Sequence, residues 1–131
     1  MKIYGVGTDI VKIKRIKDSI KKESFITRIF NDVEISKCNK TIKGYNCYAK
    51  RFAAKEAFSK ALGTGISKGL SFKDIEVINN KKGKPILNIN GKSKEIVKKL
   101  IKKRFKIFVS LSDEKSHAIA SVIITTSKWL D

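Results

Sequence analysis

One segment in the middle of the chain constrains the fold more than any other. Residues 50–66 predict one long helix, because apolar side chains recur there at helical spacing and form a broad arc. The arc comprises Ala49, Ala53, Ala54, Ala57, Phe58 and Ala61. An apolar arc this broad has to be covered by other elements, so we expect the helix to be central to the fold.

The polar side of this helix carries an acid among bases. Arg51 and Lys55 are four residues apart, and Glu56 and Lys60 form a second column with the same spacing. Glu56 falls close to the apolar arc, so we expect its carboxylate to be partly desolvated. By themselves these charges fit either ordinary surface ion pairs or an anion site.

A glycine loop follows the helix and favours the second interpretation. Gly63 can adopt the left-handed conformation that ends many helices. Thr64 and Gly65, which follow it, allow backbone N–H groups to approach an anion closely. The segment therefore predicts a phosphate site.

Composition limits the class of protein. The chain has 131 residues, 41% of them hydrophobic, so residues 1–131 are expected to form a single globular domain with its own core. No apolar segment is long enough to span a bilayer, and the N-terminus lacks a signal-peptide pattern. We therefore expect no membrane partner and a cytoplasmic location. Cys38 and Cys47 are expected to be free, reduced thiols.

Hydrophobic periodicity predicts an α+β fold with an N-terminal strand, several helices including the long central one, and a small antiparallel sheet. The predicted helices are residues 11–22, 24–30, 32–39, 50–66 and 92–104. The predicted extended segments are residues 2–10, 72–78, 84–89, 106–112 and 117–125, of which the last two form a hairpin.

The net charge of +18 indicates an acidic partner. The first helix has strongly basic outer faces, formed by Lys14, Arg15, Lys17, Lys21 and Lys22. A small nucleic-acid-binding protein is one interpretation of this charge. Against it, the phenylalanines lie at apolar-period positions, Phe108 among them, and are expected in the core and not on a basic stacking surface.

The motifs of common nucleotide sites and nucleophilic enzymes are absent. The P-loop and dinucleotide patterns lack required glycines, and the single histidine, His117, is expected to have a packing role. Among only 12 acidic residues, Asp9 at the end of the predicted first strand and Glu56 in a cationic helix are candidate ligands for Mg²⁺. The pattern alone leaves open whether the two carboxylates meet.

Nearly the whole chain carries motifs in a recognisable order. They are Gly5-Val6-Gly7-Thr8-Asp9-Ile10-Val11, Lys50-Arg51-Phe52-Ala53-Ala54-Lys55-Glu56-Ala57, Lys60-Ala61-Leu62-Gly63-Thr64-Gly65-Ile66, Gly83-Lys84-Pro85 and Ser110-Leu111-Ser112-Asp113. Their order, spacing and content resemble the holo-[acyl-carrier-protein] synthase family, the small bacterial class of 4′-phosphopantetheinyl transferases. Asp113 stands where many relatives have histidine and others have aspartate.

The resemblance implies the 4′-phosphopantetheinyl transferase fold and an Mg²⁺-dependent reaction of fatty acid biosynthesis. The 4′-phosphopantetheine group of coenzyme A is transferred to a serine of apo acyl carrier protein, and adenosine 3′,5′-bisphosphate is released. By the same resemblance Asp9 and Glu56 hold the metal, and Lys60 stabilises charge on the leaving phosphate. Either Glu56 or a water at the metal accepts the serine proton.

The resemblance also implies binding surfaces. Coenzyme A phosphates are expected at Arg51, Lys55 and the loop of Gly63, Thr64 and Gly65, with Gly83, Lys84 and Pro85 near the adenosine end. The basic first helix is expected to dock the acidic carrier protein, and the enzyme is expected to be a homotrimer with sites shared between subunits. A transferase that acts on a different carrier domain stays an alternative, as does the nucleic-acid-binding protein.

Overall fold

The computed structural model describes residues 1–66 and 69–127 and has an α+β architecture. Its helices are α1 (Ile13–Ser19), α2 (Glu23–Ile29), α3 (Asp32–Asn39), α4 (Gly44–Leu62) and α5 (Gly91–Ile101). Its strands are β1 (Lys2–Lys12), β2 (Ile75–Asn79), β3 (Pro85–Ile89), β4 (Phe105–Asp113) and β5 (His117–Thr126). The predicted fold class is confirmed. That residues 1–131 form a single domain stays a prediction.

The boundaries differ from the predicted ones at three places that matter. The long helix α4 runs over Gly44–Leu62 and not over residues 50–66. The first strand does not end at Asp9: β1 continues to Lys12, because β5 pairs with it as far as His117. The helix that follows is correspondingly short. Residues Phe72–Asp74 form a 3₁₀ turn ahead of β2, so the strand predicted from residue 72 begins only at Ile75.

The main sheet is antiparallel with the strand order β1-β5-β4. Alternate residues of β5, namely Ala118, Ala120, Val122 and Ile124, are fully buried on one face. This is the alternation expected of a sheet with one face on the core. The helix α4 packs on that face, so the long helix is central, as predicted.

Two glycines of β1 allow α4 to lie unusually close to the sheet. A Cβ atom added to Gly5 would collide with the carbonyl oxygen of Ala61, and one added to Gly7 would collide with that of Ala57. The second Cβ would also lie 2.7 Å from the Ala61 nitrogen. Since the strand contacts helix backbone here, no larger residue fits without a shift of β1 or α4.

The C-terminal end of α4 is closed as the sequence predicts. Gly63 has φ +89°, and its N–H bonds the carbonyl groups of Ser59 and Lys60. The start of α3 is capped as well, because Asn31 and Glu34 form a capping box there. Among the described residues, no helix is long and apolar enough to cross a membrane.

Two predictions about individual side chains are wrong. Cys38 and Cys47 are not free thiols in this structure but form a disulfide that links α3 to α4. Phe108 is 48% exposed and does not belong to the core. It lies on the outer face of the main sheet, whereas Phe30, Phe52 and Phe58 are buried as expected.

Candidate active site

Asp9, Glu56 and Lys60 meet where β1 crosses the last turns of α4. Asp9 lies two residues beyond Gly7, on the face of β1 that packs against the helix. Glu56 and Lys60 are one helical turn apart on α4. The Lys60 ammonium group donates to Asp9 Oδ1 at 3.0 Å and to the Thr8 carbonyl oxygen at 3.0 Å.

The carboxylates of this cluster interact electrostatically. Partial burial raises the pKa of Glu56, and the negative charge of Asp9 raises it further. Lys60 and Arg15 oppose the shift and lower the same pKa. Glu56 is thus partly desolvated, as its position on the helix predicts, and its surroundings favour the charged carboxylate less than water does.

This donor set is chemically suited to Mg²⁺. Within residues 1–66 and 69–127, no group of three or more His, Cys, Asp or Glu residues is arranged to hold a metal ion. Mg²⁺ does not need such a group, because it is commonly held by one or two carboxylates with water and substrate phosphate oxygens completing the octahedron. Asp9 and Glu56 supply two carboxylates that repel each other, and a divalent cation would relieve that repulsion.

Lys55, also predicted to contact phosphate, is occupied by the protein itself. Its side chain is completely buried and donates to Glu34 Oε1 at 2.8 Å and to the carbonyl oxygens of Phe72 and Ile75. The other oxygen of Glu34 accepts from the Val77 N–H at 3.0 Å. An ammonium group has three donors, so the structure leaves Lys55 none for a ligand.

The glycine loop is directed at the helix that it closes. The N–H groups of Gly63 and Gly65 both bond to the Ser59 carbonyl oxygen, at 3.1 and 3.3 Å. The loop follows the C-terminal, electronegative end of α4, whereas anions are favoured at helix N-termini. The N–H groups of Gly63 and Gly65 therefore cap the helix, and in this structure they do not point at an anion site.

A cleft of about 850 Å³ opens beside the first turns of α4 and contains two of the predicted ligand residues, Arg51 and Gly83. Arg51 Nη2 donates to Asn79 Oδ1 at 2.9 Å, and Asn79 Nδ2 donates to the Gly83 carbonyl oxygen at 3.0 Å. Arg51 is 4% exposed, and its Nε has no hydrogen-bond partner in the described chain. Lys84 and Pro85 follow directly where the β2–β3 turn enters β3.

Most of the polar residues that line the cleft could not be singled out from the sequence. They are Lys37, Lys43, Asn46, Lys50, Asn79, Asn80 and Lys81. They come from α3, the loop after it, α4, the end of β2 and the β2–β3 turn, and no sequence spacing links these elements. The asparagines look like ordinary turn residues until Asn79 is seen to join Arg51 to Gly83.

The basic surface predicted on the first helix is present and exposed, but only Lys14, Arg15 and Lys17 lie on α1, whereas Lys21 and Lys22 lie in the turn that follows it. Two of its side chains pack on aromatic rings: Arg15 lies 5.8 Å from the centre of Phe52, and Lys17 lies 5.3 Å from that of Tyr45. Because Arg15 also lowers the pKa of Glu56, the surface adjoins the carboxylate cluster. His117 lies apart, at the β4–β5 hairpin, with Nδ1 2.8 Å from Ser116 Oγ.

Comparison with known sequences identifies relatives along almost the whole chain. A sequence model of the 4′-phosphopantetheinyl transferase superfamily matches residues 5–122. A protein of Pelagibacter ubique named holo-[acyl-carrier-protein] synthase is 51% identical over 129 residues, which cover 95% of this chain and 98% of the relative.

Solved structures agree with the sequence matches. The holo-[acyl-carrier-protein] synthase of Neisseria meningitidis has a TM-score of 0.84 and 37% identity, and the match covers 95% of this chain and 99% of that one. The Bacillus anthracis enzyme, solved in complex with coenzyme A (3′,5′-ADP), has a TM-score of 0.79 and 36% identity, with 97% and 100% covered. The chain therefore belongs to the 4′-phosphopantetheinyl transferase superfamily, within the holo-[acyl-carrier-protein] synthase family that its motifs resemble.

Proposed function

We propose that this chain transfers the 4′-phosphopantetheine group from coenzyme A to a serine of apo acyl carrier protein, in fatty acid biosynthesis. The observation that carries the proposal is the cluster of Asp9, Glu56 and Lys60, which joins two interacting carboxylates to an exposed ammonium group. The family membership gives this cluster its chemistry. A nucleic-acid-binding role is not favoured, since the relatives are named as synthases.

In the proposed reaction the substrate supplies the nucleophile. The carrier serine oxygen forms a bond to the β-phosphorus of coenzyme A, and the bond from that phosphorus to the bridging oxygen breaks. The leaving group is adenosine 3′,5′-bisphosphate, and the serine proton passes to Glu56 or to a water. Positioning and charge stabilisation are therefore the protein's main tasks.

Each member of the cluster has a proposed task. Asp9 and Glu56 hold Mg²⁺, which when bound neutralises charge on the pyrophosphate. Lys60 is 54% exposed, so its ammonium group can exchange the Asp9 carboxylate for a phosphate oxygen. Its position one turn from Glu56 supports a role in stabilising the charge that develops on the leaving phosphate.

For the rest of coenzyme A, the structure supports only some of the binding residues that the sequence resemblance implies. Arg51 and Gly83 share one basic cleft, and its cationic lining supports the binding of a phosphate there. We propose that this cleft binds the adenosine end, with Lys84 and Pro85 at its edge. Lys55 and the N–H groups of Gly63 and Gly65 are engaged within the protein, so their proposed role is to support α4.

The partners follow from two surfaces. The basic surface of the first helix adjoins the carboxylate cluster, which supports its proposed role in docking an acidic carrier protein beside the metal.

The outer face of the main sheet exposes Val6, Ile10, Phe108, Ile119 and Ile123. Contiguous exposed apolar side chains mark interaction sites, and we propose that copies of the chain associate there as a homotrimer. Light scattering would measure that state.

The decisive experiment is the intact mass of an apo acyl carrier protein after incubation with this protein and coenzyme A. We expect a gain of one phosphopantetheine with Mg²⁺, no gain with a chelator, and a large loss of rate in Glu56→Gln. No gain with a folded protein, and with a carrier that another transferase modifies, would contradict the proposal. Competition between fatty-acid and other carrier domains would identify the preferred carrier.

A further inference from the structure

The cleft beside the first turns of α4 contains a negative charge among many positive ones. Its cationic lining residues are Lys37, Lys43, Lys50, Arg51 and Lys81. Among the described residues that line it, Asp113 is the single acid. A carboxylate at such a place opposes the binding of an anion, and the proposed ligand of this cleft is highly anionic.

Asp113 makes its contacts with groups that a phosphate would otherwise use. It is the last residue of β4, and its Oδ2 accepts from Asn46 Nδ2 at 2.6 Å. Its Oδ1 lies 3.3 Å from Lys50 Nζ. Asn46 and Lys50 are one turn apart on α4, so the carboxylate is held by two adjacent donors of the cleft.

The surroundings keep this carboxylate charged. The hydrogen bond from Asn46 lowers the pKa of Asp113, burial partly opposes the shift, and Lys50 and Lys43 lower it further. The side chains of Asp113 and Lys50 are only 25% and 29% exposed, so the pair is less screened than a free surface pair. An anionic ligand therefore meets a charged competitor at neutral pH.

We propose that Asp113 weakens the binding of phosphate groups in this cleft. When no ligand is bound, its carboxylate occupies Asn46 and Lys50, the two donors that a phosphate would use. A bound phosphate takes over both donors and displaces the carboxylate into solvent. When adenosine 3′,5′-bisphosphate leaves, the carboxylate returns to the same donors and aids product release. This inference rests on the proposed function, because it assumes that coenzyme A and its product use this cleft.

Calorimetric titration with adenosine 3′,5′-bisphosphate tests the inference directly. Asp113→Asn removes the charge and keeps the size of the side chain, and we expect it to bind about three- to tenfold more tightly than the wild type. Product inhibition by the same compound should strengthen by a similar factor. Uncharged adenosine should bind both proteins equally, because it brings no phosphate to compete.

Glu114→Gln is the matched control. Glu114 is the next residue in the chain, its side chain is 71% exposed, and it does not line this cleft. The substitution to glutamine changes the net charge by the same amount as Asp113→Asn. We expect its affinity for adenosine 3′,5′-bisphosphate to change less than twofold. Equal tightening in both variants would mean that only long-range charge matters, and unchanged or weaker binding in Asp113→Asn would mean that the carboxylate orients Lys50 for the ligand. Either result would overturn the inference.

The wild-type protein separates this inference from the function on which it rests. If the wild type modifies the carrier protein and Asp113→Asn does not bind the bisphosphate more tightly, only the inference fails. If the wild type neither binds the bisphosphate nor modifies the carrier protein, the proposed function fails and takes the inference with it.

Discussion

Two lysines of α4 show how the same side chain serves different purposes five residues apart. Lys55 and Lys60 each have a carboxylate partner, Glu34 at 2.8 Å and Asp9 at 3.0 Å. The first pair is completely buried, whereas the exposed fractions of Lys60 and Asp9 are 54% and 16%. The distance between the charges is nearly the same, so burial is what distinguishes them. A buried pair is fixed by the fold, and an exposed pair can exchange its partner for a ligand.

Burial also determines what each pair costs when it is broken. Around Lys55, desolvation lowers the pKa of the ammonium group, and Glu34 opposes that shift. Three carbonyl or carboxylate oxygens depend on this one group. Around Lys60, solvent can replace either partner. The two lysines can therefore be compared by the same substitution.

The largest effect is expected from Lys55→Met. It leaves the buried Glu34 carboxylate without its cationic partner, which should lower the free energy of unfolding by about 3 to 5 kcal/mol. Lys60→Met is the matched control and should change it by no more than about 0.5 kcal/mol, as for other surface sites. Urea unfolding followed by circular dichroism measures both. If Lys55→Met is too unstable to purify, Glu34→Gln tests the same pair, and equal losses at Lys55 and Lys60 would refute the distinction.

Turnover should respond in the opposite order. Lys60→Met removes the proposed stabiliser of the leaving phosphate, and we expect kcat to fall by about 100-fold or more, as when one charge-stabilising donor is lost. The unfolding midpoint should stay close to that of the wild type. Lys94→Met on α5, another exposed lysine, controls for loss of surface charge. A normal kcat in Lys60→Met would remove this residue from the proposed chemistry.

The sequence predicts the helix that carries the two lysines and the sheet beside it, but it does not predict that Lys55 is buried and Lys60 exposed. The periodic apolar pattern is sufficient for α4 and for the β4–β5 hairpin, because helix and strand spacing depend on neighbours in the chain. It cannot separate Lys55 from Lys60, because the burial of Lys55 depends on Glu34, Phe72 and Ile75, which lie far away in sequence. The apolar pattern shows on which face of an element a residue lies, but not whether another element covers that face. For the same reason the pattern places Phe108 in the core, whereas its face of the main sheet is exposed.

The cysteines illustrate a different limit. The prediction of free thiols rests on the presence of only one cysteine pair and on the expected compartment, whereas the loop between α3 and α4 brings the Cα atoms of Cys38 and Cys47 to 5.3 Å. Compartment and geometry are independent, and the sequence holds no direct information on the loop's path. A cytoplasmic location stays a prediction, and a cytoplasmic enzyme would carry this pair reduced.

The disulfide is expected to stabilise the helix pair that also contains the buried lysine. Cys38 and Glu34 are one turn apart on α3, and both contact α4. Closing a loop across a separation of nine residues contributes about 2.5 kcal/mol in the chain-entropy description. Unfolding with and without dithiothreitol measures this contribution. The double variant Cys38→Ala/Cys47→Ala should be insensitive to the reductant, and a wild type that is equally insensitive would contradict the expectation.

A loss of stability smaller than those for Lys55 and the disulfide is expected from a substitution in the backbone contact between β1 and α4, which lies next to the pair of Asp9 and Lys60. Gly7→Ala places a methyl group against the Ala57 carbonyl oxygen and the Ala61 nitrogen, and the resulting shift should cost about 2 kcal/mol. It should also lower turnover, because β1 carries Asp9. The atoms in contact are backbone, so Ala57→Gly should not rescue it.

Gly63→Ala is the informative comparison for this last substitution. No atom lies within 4 Å of a Cβ at Gly63, but φ is +89°, so alanine is strained by about 1 kcal/mol without moving β1. Both variants should therefore lose stability, and only Gly7→Ala should lose turnover beyond what the unfolded fraction explains. If Gly63→Ala lost as much turnover, the glycine loop would belong to the ligand site after all. If neither did, close packing of β1 on α4 would not be what positions Asp9 beside Lys60.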